Sequence, residues 1–267
     1  MKYSIYVLSI AIFVAAAICV QTRNRGDATP RGTAYRVFDL HGGQWQDAEK
    51  HYSDGGFTNG HMCWGAVASN MLTWGGWNEG TGLANIDEVW EYYQKHWISA
   101  AGDPVHAIKW WFRGGNRGYP IRKAPGGGFF PNLDPRDYIS GPYEGTELVL
   151  EQIQKNTIEG YVSSIRMIHP KERVPHTVTC WGFNANDKTG DIIGIWITDS
   201  DDDANGAPPR PSRLRYFEVK TRDGVTYIQR YARGKGTKAY FIDEVLGLAA
   251  NPARKQPAHT NTASGQQ

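Results

Sequence analysis

The sequence places a cysteine where its thiol could act as a nucleophile. Cys63 follows a glycine-rich stretch, DGGFTNGH, and begins the helical pattern CWGAVASNMLTW. At such a junction the amides of the first helical turn and the positive end of the helix dipole stabilise a thiolate. The Cys63 N–H would also be placed to donate to an oxyanion that forms during attack on a carbonyl. The pattern therefore predicts nucleophilic chemistry at Cys63.

His176 is the histidine best placed to act as the base that a nucleophilic thiol needs. It opens the apolar strand pattern HTVTCWGF directly after a turn that contains Pro175. The next strand pattern, IIGIWITDSDDD, ends in an acidic cluster that begins at Asp199. Adjacent antiparallel strands would bring this carboxylate to the imidazole, which it would orient. Cys63, His176 and Asp199 thus follow the order of the catalytic residues in papain-like enzymes.

Two simpler interpretations of these residues stay open. His176 is also consistent with an ordinary histidine at the end of a strand. The acidic segment is consistent with a solvated turn or a calcium loop, since Asp199, Asp201 and Asp203 alternate as hard-cation ligands do. An EF-hand is disfavoured, because the glycine falls at Gly206 and not at the loop position where that motif requires one.

Composition excludes some functional classes and leaves others open. The 267 residues carry 29 basic and 27 acidic side chains, so the net charge of +2 does not resemble that of a nucleic-acid-binding protein. Beyond the N-terminal segment only Cys63 and Cys180 remain, and an exported protein would favour a disulfide between them. The ten tryptophans allow a glycan-binding surface, although most of them fall on core-facing patterns.

The chain divides into four segments. Residues 1–21 combine a lone lysine with an apolar run, the pattern of a secretory signal peptide, with an uncleaved N-terminal anchor as the alternative. We therefore expect a secreted or periplasmic protein without stable membrane insertion after signal removal. Residues 22–34 are expected to form a flexible leader, 35–248 one folded domain and 249–267 a disordered tail.

The domain should begin with helices and end with strands. Helical patterns occur in CWGAVASNMLTW, after the capping residue Asn85 with its reciprocal partner Glu88, in PVHAIKWWF and at about residues 145–157. Alternating β-branched and aromatic residues then predict the strands YVSSIRMI, HTVTCWGF, IIGIWITD, RLRYFEVK, VTYIQRY and AYFIDEV. This order predicts an α+β architecture in which N-terminal helices pack on a C-terminal antiparallel β-sheet.

Several of these motifs resemble those of one enzyme family. HMCWGAVASNMLTW around Cys63, HTVTCWGFNANDKTGDIIGIWITDSDDD from His176 and the closing VLGL resemble the IdeS-type immunoglobulin G-degrading cysteine endopeptidases, also called the Mac family. The resemblance follows the same order along most of the domain and is strongest at the nucleophile helix and at residues 176–203. Residues 75–160 match only loosely, and Trp64 stands where the family pattern usually has glycine.

The resemblance implies a papain-like cysteine peptidase fold and roles for five residues. Cys63 would be the nucleophile, His176 the general base and acid, and Asp199 the carboxylate that orients His176. Asp201 would be a second supporting carboxylate. The segment WQDAEKHY is similar to one in which the family places a lysine at the oxyanion hole, which nominates Lys50. An ammonium group there would stabilise the tetrahedral intermediate without a proton transfer.

Residues and resemblance together predict a secreted cysteine endopeptidase that cleaves a protein substrate, with immunoglobulin as the candidate. No cofactor, metal or nucleic acid is expected to take part, and the sequence predicts no oligomeric state. Two alternatives stay open. One is a cysteine amidase or transferase that uses the same triad, and the other is a catalytically silent secreted binding protein in which Cys63 and Cys180 form a disulfide.

Overall fold

The computed structural model describes residues 28–50, 60–115, 123–145, 148–170, 175–202, 212–231 and 240–254. Its helices are α1 (Val37–His41), α2 (Cys63–Trp74), α3 (Ile86–His96), α4 (Pro104–Arg113) and α5 (Val149–Glu159), with a 3-10 turn at Pro135–Asp137. Its strands are β1 (Thr33–Arg36), β2 (Ile139–Glu144), β3 (Tyr161–Ile168), β4 (Pro175–Ala185), β5 (Ile192–Thr198), β6 (Arg215–Arg222), β7 (Val225–Ile228) and β8 (Tyr240–Ala249). The predicted signal peptide lies outside the described residues, as do most of the predicted leader and tail.

Local sequence explains where two of the helices begin. Asn85 caps α3 by accepting the Glu88 N–H at 3.0 Å, and Asp103 caps α4 by accepting the Val105 N–H at 2.7 Å. Pro104 suits the first turn of α4, because an N–H at that position would have no acceptor within the helix. Among the described residues, no helix combines the length and the apolar character needed to cross a membrane.

Six strands close into an antiparallel β-barrel. Their order is β4, β3, β8, β7, β6 and β5, and β5 pairs back to β4. β1 is a further partner of β4, and β2 is a further partner of β8. The α+β class therefore holds, but the papain-like arrangement predicted from the sequence, with N-terminal helices packed on a C-terminal antiparallel sheet, is wrong.

Irregularities in β4 explain how the barrel closes. The pairing of β4 with β5 shifts register between Cys180 and Gly182, and again between Asn184 and Ala185. Such bulges bend a strand and increase its twist, so that a sheet can curl until its edges meet. Alternation of residue types identifies the strands but not the bulges within them, and it therefore predicts an open sheet.

Two apolar clusters hold these elements together. All six barrel strands contribute side chains to the first cluster, which therefore faces the barrel interior and includes Ile165, Val178, Ile197, Phe217, Ile228 and Val245. The second cluster lies outside the barrel, where Trp181 packs with residues of α2, α3 and α4. Asn70 of α2 donates from Nδ2 to Thr179 Oγ1 at 2.9 Å. This contact fixes α2 on the outer face of β4, so the two elements that carry Cys63 and His176 have a defined relative position.

Both ends of the described chain are attached to this framework. β1 begins at Thr33 and pairs with the end of β4. After β8 the chain returns to α2, where the Asn251 N–H donates to the Gly75 carbonyl at 2.8 Å.

Candidate active site

Cys63 is the first residue of α2 and is partly exposed. The carbonyl of Met62 accepts the amides of Gly65 and Ala66 at 3.0 and 3.1 Å, which are the first hydrogen bonds of the helix. The Cys63 N–H precedes them and has no acceptor within the helix. This N–H therefore lies next to the thiol and can donate to an oxygen that is bound there.

The Cys63 thiol lies among hydrogen-bond donors and a positive charge. The His176 ring, the Thr177 N–H and the Lys50 ammonium all act on the Cys63 thiol and favour its ionised form. Burial raises the pKa of the thiol, but the hydrogen bond and charge of His176, the charge of Lys50 and the Thr177 N–H together lower it from 9.0 to about 7. A substantial fraction of Cys63 is therefore thiolate near neutral pH.

His176 is fully buried near the start of β4, and Asp199 holds its ring. His176 Nε2 lies 2.7 Å from Asp199 Oδ1. An ionised carboxylate can only accept, so Nε2 carries the proton and Nδ1 is the nitrogen that remains for the thiol. Strand register explains this pairing, because Thr179 of β4 pairs with Thr198 of β5, the residue before Asp199.

Asp199 accepts three hydrogen bonds although it is almost completely buried. Oδ1 accepts from His176 Nε2 and from the Asp201 N–H at 3.1 Å, and Oδ2 accepts from the Tyr231 hydroxyl. Burial raises the pKa of Asp199, but the charge of His176 and these hydrogen bonds outweigh burial and hold the pKa well below its usual range. Asp199 is therefore a carboxylate throughout the pH range in which Cys63 titrates.

Lys50 and Asp201 form a buried ion pair at the same site. Lys50 Nζ also donates to the Gly60 carbonyl at 3.1 Å, and Asp201 Oδ2 lies 4.0 Å from His176 Nδ1. The Lys50 N–H donates to the Ser200 carbonyl at 3.0 Å, which ties the Lys50 segment to the loop after β5. Asp201 thus lies between the ammonium group and the imidazole and can interact with both.

The structure brings together all the site residues nominated from the sequence, namely Lys50, Cys63, His176, Asp199 and Asp201. Two further contributors were not nominated. Tyr231 falls in the pattern VTYIQRY, in which an alternating aromatic residue predicts only a strand. Thr177 contributes its backbone N–H, and a backbone group has no signature in the sequence. Neither residue could have been identified without the tertiary structure.

The two cysteines of the described chain have very different surroundings. Neither is in a disulfide, so the bridge considered from the sequence is not formed in this structure. Cys180 belongs to the barrel interior, and its Sγ lies 3.6 Å from the Gly182 carbonyl oxygen. Burial raises the pKa of the Cys180 thiol to about 12. Of these two cysteines, Cys63 is the one that is partly exposed and whose thiol has a lowered pKa.

Trp64, the residue after Cys63, is completely buried. Its Nε1 donates to the Ala100 carbonyl at 2.9 Å, and its ring lies 5.2 Å from that of Trp97 in an edge-to-face contact. Gly102 packs directly on this indole, because a Cβ at residue 102 would lie 2.5 Å from Trp64 Cε2. Trp64 thus anchors the loop of residues 97–102 to the start of α2.

Two groups of side chains in the described residues have the donor types and spacing of a metal site: His176 with Asp199 and Asp201, and Asp47 with Glu49 and Asp202. The first group is engaged in the contacts described above. In the second, Arg213 and Arg215 lie 3.2 and 3.5 Å from Asp202, and the Arg213 N–H donates to Asp47 Oδ2 at 3.3 Å. Asp203, the third residue of the calcium-loop alternative, lies outside the described residues.

Sequence comparison gives no family for this chain, since no protein-family model matches it and no curated protein matches it significantly.

Proposed function

We propose that this protein is a cysteine endopeptidase that hydrolyses peptide bonds in a protein substrate. The observation that carries the proposal is the position of the His176 ring, whose Nε2 lies 2.7 Å from Asp199 Oδ1 and whose charge lowers the pKa of the Cys63 thiol. A thiol of lowered pKa, an adjacent base and a carboxylate that orients the base are the groups that covalent catalysis by cysteine needs.

In the acylation step, the Cys63 thiolate attacks the carbonyl carbon of the scissile peptide bond. A C–S bond forms, and the carbonyl electron pair moves onto the oxygen, where the Cys63 N–H and the Lys50 ammonium stabilise the negative charge. When the tetrahedral intermediate collapses, the C–N bond breaks and the proton on His176 Nδ1 moves to the leaving amine. The products of this step are a thioester on Cys63 and the released amine.

In the deacylation step, neutral His176 accepts a proton from water at Nδ1 as the water oxygen attacks the thioester carbon. The C–S bond then breaks, which releases the acyl part of the substrate as a carboxylic acid and restores the thiolate and the imidazolium. Asp199 remains ionised throughout, and its charge stabilises the imidazolium in each step. Asp201 adds a second negative charge on the Nδ1 side of the ring.

The nature of the substrate is proposed from the sequence resemblance. The motifs around Cys63 and His176 resemble those of IdeS-type endopeptidases, which makes immunoglobulin G the first protein substrate to test. Export through the N-terminal segment is part of the same proposal.

Cys63→Ala and Cys180→Ala form a matched pair of variants that tests the proposal. We expect Cys63→Ala to remain folded by circular dichroism and to lose all detectable cleavage of casein and immunoglobulin G. Cys180→Ala should retain activity within a few-fold, because its sulfur belongs to the barrel interior. A folded Cys63→Ala variant that still cleaves these substrates would refute the assignment. Alkylation of Cys63 in a wild-type protein that cleaves neither substrate would instead indicate an amidase or transferase.

A further inference from the structure

We propose that Tyr231 is a positioning residue of this site, whose hydroxyl holds the Asp199 carboxylate in the orientation that receives His176. The inference rests on the proposed function. The Tyr231 hydroxyl donates to Asp199 Oδ2, while Oδ1 of the same carboxylate accepts from His176 Nε2 at 2.7 Å. One oxygen is thus occupied by the tyrosine and the other by the imidazole.

The position of the Tyr231 hydroxyl is defined by the packing of its ring. Tyr231 is fully buried, and its ring centroid lies 5.5 Å from that of Phe217 and 5.1 Å from that of Tyr240, both in edge-to-face geometry. The ring also lies 6.4 Å from the His176 ring. Because Tyr231 follows β7, it supports the site from a part of the barrel other than β4, which carries His176, and β5, which Asp199 follows.

This contact has a consequence for the thiol. Without the hydroxyl, Asp199 Oδ2 would lose a charge-assisted hydrogen bond inside the protein, and the carboxylate could turn away from His176. A weaker contact between Asp199 and the imidazolium would stabilise the imidazolium less. Since the charge of His176 helps to ionise Cys63, the thiol would then ionise at a higher pH.

Other charged groups also act on Asp199 and have to be considered in any pH experiment. They are His176, Asp47, Asp201 with its partner Lys50, and Asp202 with Arg213 and Arg215. Asp47 and Asp202 are carboxylates, which disfavour a further negative charge nearby. The Tyr231 hydroxyl is a neutral donor that helps to keep Asp199 ionised beside them.

Tyr231→Phe tests the inference, with Tyr216→Phe as the matched control. Tyr216 is also buried, but its ring packs on Trp196, with centroids 5.3 Å apart, and its hydroxyl has no hydrogen-bond partner among the described residues. The measurements are kcat and KM on labelled casein and the rate of Cys63 alkylation by iodoacetamide as a function of pH. We expect Tyr231→Phe to lower kcat about tenfold with little change in KM, and to raise the alkylation midpoint by about half to one pH unit. Tyr216→Phe should change neither quantity.

A second pair of variants separates hydrogen bonding from packing. Site-specific 4-aminophenylalanine at residue 231 fills the space of the hydroxyl and donates, whereas 4-methylphenylalanine fills it without donating. The first should return the alkylation midpoint toward the wild-type value, and the second should behave as Tyr231→Phe does. Equal midpoints for these two variants, or a wild-type midpoint for Tyr231→Phe, would overturn the inference. Alkylation requires no peptide cleavage, so this result is independent of whether the protein proves to be an endopeptidase.

Discussion

Lys50 and Asp201 form an ion pair inside the protein, with side chains that are 1% and 6% exposed. The pair lies beside His176 and Cys63, the two residues that are proposed to exchange protons. Asp201 is 4.0 Å from His176 Nδ1, and the charge of Lys50 lowers the pKa of the Cys63 thiol. A buried charge that loses its partner is costly, whereas the removal of both charges together is often tolerated. The pair should therefore behave as a unit in stability as well as in catalysis.

Lys50→Met should lower the free energy of unfolding by about 3 kcal/mol, because it leaves the Asp201 carboxylate buried without its cation. Lys50→Met combined with Asp201→Asn should recover a large part of this loss. Urea unfolding followed by tryptophan fluorescence measures both effects. Losses that simply add in the double variant would contradict a direct interaction between the two side chains.

Cys63 should react with iodoacetamide in the folded protein with a midpoint near pH 7, while Cys180 stays unmodified. The lowered pKa of Cys63 means that the thiolate is present above about pH 7 and is lost as the pH falls through that value. Burial raises the pKa of Cys180 to about 12, so its thiol remains protonated. Mass spectrometry of tryptic peptides quantifies each product. Comparable alkylation rates at the two sites would be inconsistent with these surroundings.

Asp199→Asn should lower kcat by at least about 100-fold without unfolding the protein. An amide carries no charge to stabilise the imidazolium, and its NH2 group can turn toward His176 Nε2 and favour the wrong tautomer. Asp202→Asn is a suitable control, since Asp202 is 3.2 Å from Arg213 and pairs with it rather than with His176. Turnover of labelled casein at saturating substrate is the measurement. Similar losses in both variants would argue against a specific role for Asp199.

Glu244→Gln should gain stability relative to wild type as the pH rises from about 5 to about 8. Glu244 is buried on β8 and lies 2.6 Å from Arg166. Burial raises its pKa to about 7, although the charge of Arg166 opposes this shift. A carboxyl whose folded pKa is raised costs no stability below its unfolded pKa, and the cost grows as the pH rises from the unfolded to the folded pKa and is constant above it. Urea unfolding of both proteins at the two pH values tests the sign, and a stability difference that is independent of pH would contradict it.

Much of the secondary structure could be predicted because its signals are local. Asn85 and Glu88 mark the start of α3, and the apolar spacing after Cys63 marks α2. The predicted strands of the second half are also found in the structure. The closure of the barrel could not be predicted in this way, because it depends on register shifts such as the one between Cys180 and Gly182. A bulge has no distinctive composition, so alternation alone leads to an open sheet.

The order and types of residues by themselves determined the candidates Cys63, His176 and Asp199, since a cysteine at a helix start and polar groups at strand ends are visible in a linear pattern. Tertiary structure alone decided that Tyr231 donates to Asp199 and that Lys50 pairs with Asp201. These contacts join residues that are distant in the chain. They exist because strand register, barrel closure and the packing of α2 place the side chains within bonding distance, and no local sequence pattern specifies those three features.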